Sequence, residues 1–183
     1  VVKMLNALKT KHKLLIIADE IQSGLYRSGE MYYSKKVGLD ADIITLGKSL
    51  GGGLPLSAVV MKKAVADKFK LGDHGTTMGG NSLACSLGIA FLNYVQKNLP
   101  ALKKTWKMFG QQVKSIKSPD IVEIRGAGMM WGIEFKTADT AKTFQQKMFK
   151  KKMLVNVTDG KVVRFLPPLN ILESDIKSVS DKA

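Results

Sequence analysis

A chain of 183 residues, 45% of them hydrophobic, can bury one good-sized core or two small ones, which excludes wholesale disorder. No apolar run approaches the length of a membrane-spanning helix, the opening VVKMLNALKTKHK lacks the order of a secretory signal, and the single cysteine, Cys85, excludes an internal disulfide. The net charge of +14 raises nucleic-acid binding as an alternative, but only Arg27, Arg125 and Arg164 are arginine and the lysines are scattered along amphipathic segments.

The charge is therefore read as lysine-rich composition, with 150–152 a solvated helix end, and neither nucleic acid nor a membrane is expected as a partner. A lone cysteine fits a reducing compartment, the cytoplasm or, in a eukaryotic cell, the mitochondrial matrix.

In chain order, Val1, Val2, Leu5 and Leu8 fall on one helical face with no capping residue before them. Residues 14–18 (LLIIA) form an unbroken apolar run, the pattern of a parallel strand covered on both faces. Such a strand needs neighbours and covering helices that these residues scarcely supply, so the chain is expected to be the C-terminal part of a larger α/β protein. A glycine-punctuated loop at 24–30, a helical turn within 31–37, a second strand at 43–46 and a third at 56–61 follow. A short helix at 65–69 precedes GDHGTTMGGN at 72–81, too glycine-rich for regular structure. Asn81 is placed to cap an apolar, buried helix at 82–95.

From residue 98 the texture changes. Pro100 suits the first turn of a new helix with Leu102, Trp106, Phe109, Val113 and Ile116 on its dry face. Strands are expected at 121–125 and 129–135, then a helix capped by Asp139, a strand at 162–166 ended by Pro167-Pro168, and a terminal helix from Asp175. The expected domains are 1–97, part of a parallel-sheet large domain, and 98–183, a small α+β domain.

Two strands each deliver one reactive side chain just past their ends: Asp19 after 14–18, and Lys48 after 43–46. A lysine followed by Gly51-Gly52-Gly53 can approach a flat ring closely, and partial burial favours the neutral amine that Schiff-base chemistry requires. A carboxylate at a strand end can simply cap the next turn; opposite a pyridine ring it would instead hold the ring nitrogen protonated. Gly47-Lys48-Ser49 also ends like a nucleotide-binding GxxxxGK[ST] loop, but Asp42 stands where that loop needs glycine, and the glycines here follow the lysine.

The blocks LLIIADEIQSGLYRSGE, DIITLGKSLGGGLPLSAVV, HGTTMGGNSLAC and VVRFLPPLNI resemble, in order, those of the class III aminotransferases, pyridoxal-phosphate enzymes of fold type I. The resemblance implies that Asp19 pairs with the pyridine nitrogen of pyridoxal 5'-phosphate and that Gln22 contacts its phenolic oxygen. It makes Lys48 the residue that bonds the cofactor and later shuttles a proton. It implies a phosphate contact from Thr77 and a substrate contact from Thr76, both across a homodimer with a shared active site, and a grip by Arg164 on the substrate's α-carboxylate. Arg125 reads as structural, and Tyr26 and Ser28 depart from the family's usual residues beside Arg27.

LVNVTDGKVVRFLPPL is most similar to the acetylornithine branch, with the ornithine branch close behind. The implied reaction moves an amino group from N2-acetylornithine to 2-oxoglutarate, a step of arginine biosynthesis. Ornithine or another ω-amino acid as donor is the alternative, and so is a non-catalytic fragment. The family's phosphate-cradling turn, ring-stacking aromatic and distal-carboxylate arginine belong to its upstream half and are not among these residues.

Overall fold

The computed structural model describes residues 1–182, with side chains through residue 179; residue 183, the end of the expected small domain, lies outside them. The chain divides into two compact units, one of residues 1–26 and 30–98, the other of residues 27–29 and 99–183.

The first unit opens with α1 (Val2–His12), which buries none of its side chains. Polar contacts hold it instead. Lys9 donates to the carboxylates of Asp40 (2.6 Å) and Asp42 (2.7 Å), and the Asn6 side chain bonds the backbone of Gly38 and Asp40. Burial pushes the Asp42 carboxyl up, but hydrogen bonds from Lys9, the Ile16 N–H and Lys62 outweigh it and hold the group at about 2.

β1 (Ile17–Asp19) runs parallel to β2 (Ile43–Leu46), with Asp19 opposite Thr45. The short α2 (Tyr33–Lys36) lies between them in sequence. β3 (Ala58–Met61) pairs antiparallel with β2, so the sheet is mixed rather than wholly parallel. The first strand also departs from expectation. It begins three residues later than the apolar run and is covered on one face only: Ala18 is buried, while Leu14, Leu15 and Ile17 are exposed. Hydrophobicity marked the run, but a ladder needs a partner, and β2 offers one only alongside Ile17–Asp19. After β3 comes α3 (Lys63–Ala66), a single turn. Leu25, Leu46 and Leu50 form the buried centre, with Ile44, Leu56, Phe91 and Leu92 packed on it.

α4 (Ser82–Ser115) is one 34-residue helix with Pro100 inside it, where two helices were expected. Proline removes one backbone donor, a loss outweighed here by burial of Ala84 and Val95 before it and of Leu102, Trp106, Phe109 and Val113 after it. Asn81 caps the helix as expected, its Oδ1 accepting the Ala84 N–H at 2.9 Å. The early turns are not wholly buried, however; Leu83, Ile89 and Tyr94 face outward.

In the second unit, β4 (Ile121–Ala127), β5 (Met130–Phe135), β6 (Asn156–Thr158) and β7 (Val162–Phe165) form an antiparallel sheet in the order β4-β5-β7-β6. α5 (Ala138–Lys150) buries Ala141, Phe144 and Met148, and Phe144 meets Phe135 with ring centroids 5.1 Å apart. Its cap is Thr137 rather than Asp139. Thr137 Oγ1 accepts the Thr140 N–H, and Thr140 Oγ1 accepts the Thr137 N–H in return. α6 (Glu173–Lys182) closes the unit, with Ile176 fully buried. Trp106 donates its indole N–H to the Leu169 carbonyl at 2.8 Å. Residues 27–29 belong to this unit because the Met129 N–H donates to the Arg27 carbonyl, and the Arg27 guanidinium donates to the Pro167 carbonyl. Arg125 bridges Glu123 and Glu134 at 2.7 Å each, on the surface of the sheet.

Candidate active site

β2 ends on buried Leu46, and the next residue to present a side chain is Lys48. Lys48 opens a 3-10 turn (Lys48–Gly51) and takes a left-handed backbone, φ 47°, which a side-chain-bearing residue seldom adopts. The turn is closed by the Leu50 N–H donating to the Gly47 carbonyl (3.1 Å) and the Gly52 N–H donating to the Ser49 carbonyl (3.0 Å). Gly52 itself sits at φ 60°, where a side chain would add strain. Leu50, pointing into the core, pins the turn from below.

Lys48 lines an open depression of about 740 Å³. Ile21, Leu56, Ser57, Thr76 and Met78 share its walls. Lys48 and Thr76 of the same chain thus both line this depression. Thr77 is exposed on the same loop but does not line the depression. Lys48 is exposed rather than partly buried, because the depression is open on one side.

Asp19 is the last residue of β1 and is also exposed. One oxygen, Oδ1, accepts both the Ile21 N–H (3.0 Å) and the Thr45 hydroxyl (3.1 Å), so the carboxylate is oriented before any ligand arrives. Thr45 is a site residue that sequence reasoning missed. Its signal lies in the pairing of the two strands, since Thr45 stands directly opposite Asp19.

Glu20, the next residue, was missed too. It is buried and works on the loop rather than on a ligand: it accepts the Ser34 N–H at 2.5 Å and the Ser23 hydroxyl at 2.8 Å. Gln22 lies half-buried in the turn that Glu20 braces, between Asp19 and the Gly24 N–H that donates to the Glu20 carbonyl at 2.9 Å. Arg164 belongs to the other unit, on β7 opposite Asn156, to whose Oδ1 its Nε–H donates at 3.4 Å.

The family model for "Aminotransferase class-III" matches residues 1–182. The chain belongs to the class III aminotransferases. These are pyridoxal-phosphate-dependent transferases, and the mixed and antiparallel sheets seen here agree with the C-terminal part of fold type I. Among relatives, an acetylornithine aminotransferase of Aquifex aeolicus is 39% identical over 174 residues, covering 95% of this chain and 45% of its own length. An ornithine aminotransferase 2 of Staphylococcus aureus is 38% identical over 183 residues, covering 98% of this chain and 46% of its own. A crystal structure of the ornithine aminotransferase of Toxoplasma gondii, with partial occupancy of pyridoxal phosphate at its active site, superposes with a TM-score of 0.84 at 32% identity. It covers 97% of this chain, which covers 43% of it. The chain thus spans about half the length of the relatives it matches. Among the described residues no helix is long and apolar enough to cross a membrane, and no cluster of side chains could hold a metal ion.

Proposed function

We propose that this chain carries the lysine-bearing half of an aminotransferase site that takes N2-acetylornithine as amino donor and 2-oxoglutarate as acceptor, a step of arginine biosynthesis. The observation that carries the reading is the turn that puts Lys48 on the wall of an open depression one strand over from an oriented Asp19. The donor set fits pyridoxal phosphate: a carboxylate for a cationic ring nitrogen, a primary amine for an aldehyde, and hydroxyls in a glycine-rich loop for a phosphate. When bound, that cofactor supplies an electron-withdrawing ring that acidifies the carbon bearing the substrate's amine.

The chain's residues divide the remaining work. Asp19 holds the proton on the ring nitrogen, and Thr45 and the Ile21 N–H keep its carboxylate turned for that purpose. Gln22 contacts the phenolic oxygen. Lys48 Nζ would hold the cofactor at its aldehyde carbon and would carry the proton to and from the carbon bearing the substrate's amine. Thr76 lies beside the substrate, Thr77 binds the phosphate, and Arg164 takes the α-carboxylate in a bidentate grip. In the homodimer we propose, Thr76 and Thr77 serve a site shared between subunits. The cytoplasm is the compartment this reading favours, consistent with one unpaired cysteine.

The Staphylococcus aureus relative, an ornithine aminotransferase matching 98% of the chain, favours a second reading with ornithine as donor. Comparing the two donors at equal concentration decides between them. The primary test is simpler. The protein is incubated with pyridoxal phosphate, reduced with borohydride and mapped by peptide mass; the expected result is one stable adduct, on Lys48, absent from Lys48→Ala. No adduct, or one indifferent to that substitution, sinks the proposal.

A further inference from the structure

α4 carries a glycine where it comes nearest to the lysine turn. Its inward face is Ala84, Gly88, Phe91, Leu92 and Val95, the spacing of one side of a helix. Gly88 is buried, and a methyl group added there would stand 2.7 Å from the Leu50 carbonyl oxygen and 3.3 Å from Leu56 Cδ2. The first of these neighbours is backbone, which cannot swing aside as the end of a flexible side chain does. From the turn's side, a methyl on Gly52 would lie 3.2 Å from Leu87 Cβ of α4, while one on Gly51 would lie 3.0 Å from Leu56 Cβ, outside the helix. Helix and turn are seated against each other through glycines on both sides.

Glycine is the poorest helix former after proline, so helix propensity does not account for residue 88. Close approach does. Lys48 would relax from its left-handed φ of 47° by swinging the Ser49-Leu50 segment, and the α4 backbone at Gly88 stands against the Leu50 carbonyl at the end of that segment. Phe91 and Leu92, one turn further along the same helix, pack against the cluster of Leu25, Leu46 and Leu50.

We propose that Gly88 is a positioning residue for the Lys48 amine: α4, by resting its bare backbone on the Leu50 carbonyl, holds the turn that aims Lys48 into the depression. The inference rests on the reading of Lys48 as the cofactor-bonding residue and adds that a helix outside the depression sets how readily it reacts.

The test uses the full chain with two readouts. One is amide hydrogen exchange at Leu50 and Gly52, whose N–H groups close the turn; it needs no cofactor. The other is the rate of borohydride-trapped pyridoxal-phosphate adduct at Lys48, followed across cofactor concentrations. Gly88→Ala is expected to speed exchange and to slow the saturating trapping rate by about tenfold each, since small misplacements of a reacting group are costly, with the half-saturating concentration little changed. Phe91→Leu, which loosens the seam without a clash, is expected to move both readouts the same way by about threefold. Gly110→Ala is the control: it crowds the same helix against the Trp131 side chain, 2.6 Å away, and should leave both readouts at the wild-type level.

Wild-type exchange and trapping in Gly88→Ala would overturn the proposal, and so would equal effects from Gly110→Ala. If Gly88→Ala does not fold, unchanged readouts in Phe91→Leu overturn it instead. A wild-type protein that traps nothing at Lys48 defeats the cofactor reading, while exchange at Leu50 and Gly52 still decides whether Gly88 holds the turn.

Discussion

The two units spend their apolar residues differently. In the second, Val113, Met129, Ile133, Met148, Val163 and Ile176 are completely enclosed by a four-stranded sheet and three helical segments. In the first, the strands are three or four residues long, the enclosed centre is small, and Leu14, Leu15, Ile17, Val59, Leu83 and Ile89 face outward. Yet the first unit holds Asp19, Lys48 and the depression, while the second contributes Arg164 to the proposed chemistry. Stability and chemistry are unequally shared, and substitutions of similar size should have very different effects in the two places.

The largest effect belongs to the second core. Phe109 is 1% exposed, and Phe109→Ala is expected to cost about 3–5 kcal/mol through lost burial and a residual cavity. Both tryptophans of the chain, Trp106 and Trp131, lie in this unit, so urea unfolding followed by their fluorescence reports it directly. A cost below about 1 kcal/mol would show that this core is looser than its burial indicates.

The first unit adds a polar lock to its small core. The Asp42 carboxylate accepts from Lys9 (2.7 Å) and from the Ile16 N–H (2.9 Å), and pairs with Lys62 at 3.2 Å. Its folded-state value of about 2 lies below the ordinary 3.8, so the stabilisation is fully present above that ordinary value and is lost as pH falls from about 4 toward 2. Protection of the Ile16 and Glu20 amides, taken relative to their intrinsic exchange rates at each pH, should fall across that window while tryptophan fluorescence stays native. Asp42→Ala should abolish the pH dependence and cost about 1–3 kcal/mol at neutral pH, because the Ile16 N–H loses its acceptor. Protection unchanged from pH 5 to about 2 would remove Asp42 from the account.

How much of this was readable in the residues follows the same division. Lys48 and Asp19 were legible because each sits at the end of an apolar run, and β2 was read with its observed bounds, Ile43–Leu46. β1 was misplaced because hydrophobicity marks burial tendency, whereas its limits depend on where β2 can offer partners. The helix was cut at Pro100 because the local rule for proline is sound, and only the packing on either side overrides it. β6 went unread although Asp159-Gly160, both at positive φ, is a strong hairpin signal; three residues give too little alternation to register. Thr45 and Gly88 were beyond sequence reasoning for another reason. The first acts through the pairing of two strands and the second through a helix lying on a turn, and neither relation exists until the chain has folded.

The smallest effect should come from the outward face of the first unit. Ile17 is 62% exposed on β1, whose other neighbour, Ala18, is buried. Replacing Ile17 with serine removes little buried area and some preference for the strand, so Ile17→Ser is expected to change stability by no more than about 0.5 kcal/mol. Exchange of the Glu20 amide, which donates to the Thr45 carbonyl at 3.0 Å, measures it at the end of the same strand. The contrast with Phe109→Ala rests on burial, since both replace a large apolar residue with a small one. A loss of about 2 kcal/mol or more at Ile17 would mean that this face is covered in solution, and the two units would then differ less than their exposed surfaces indicate.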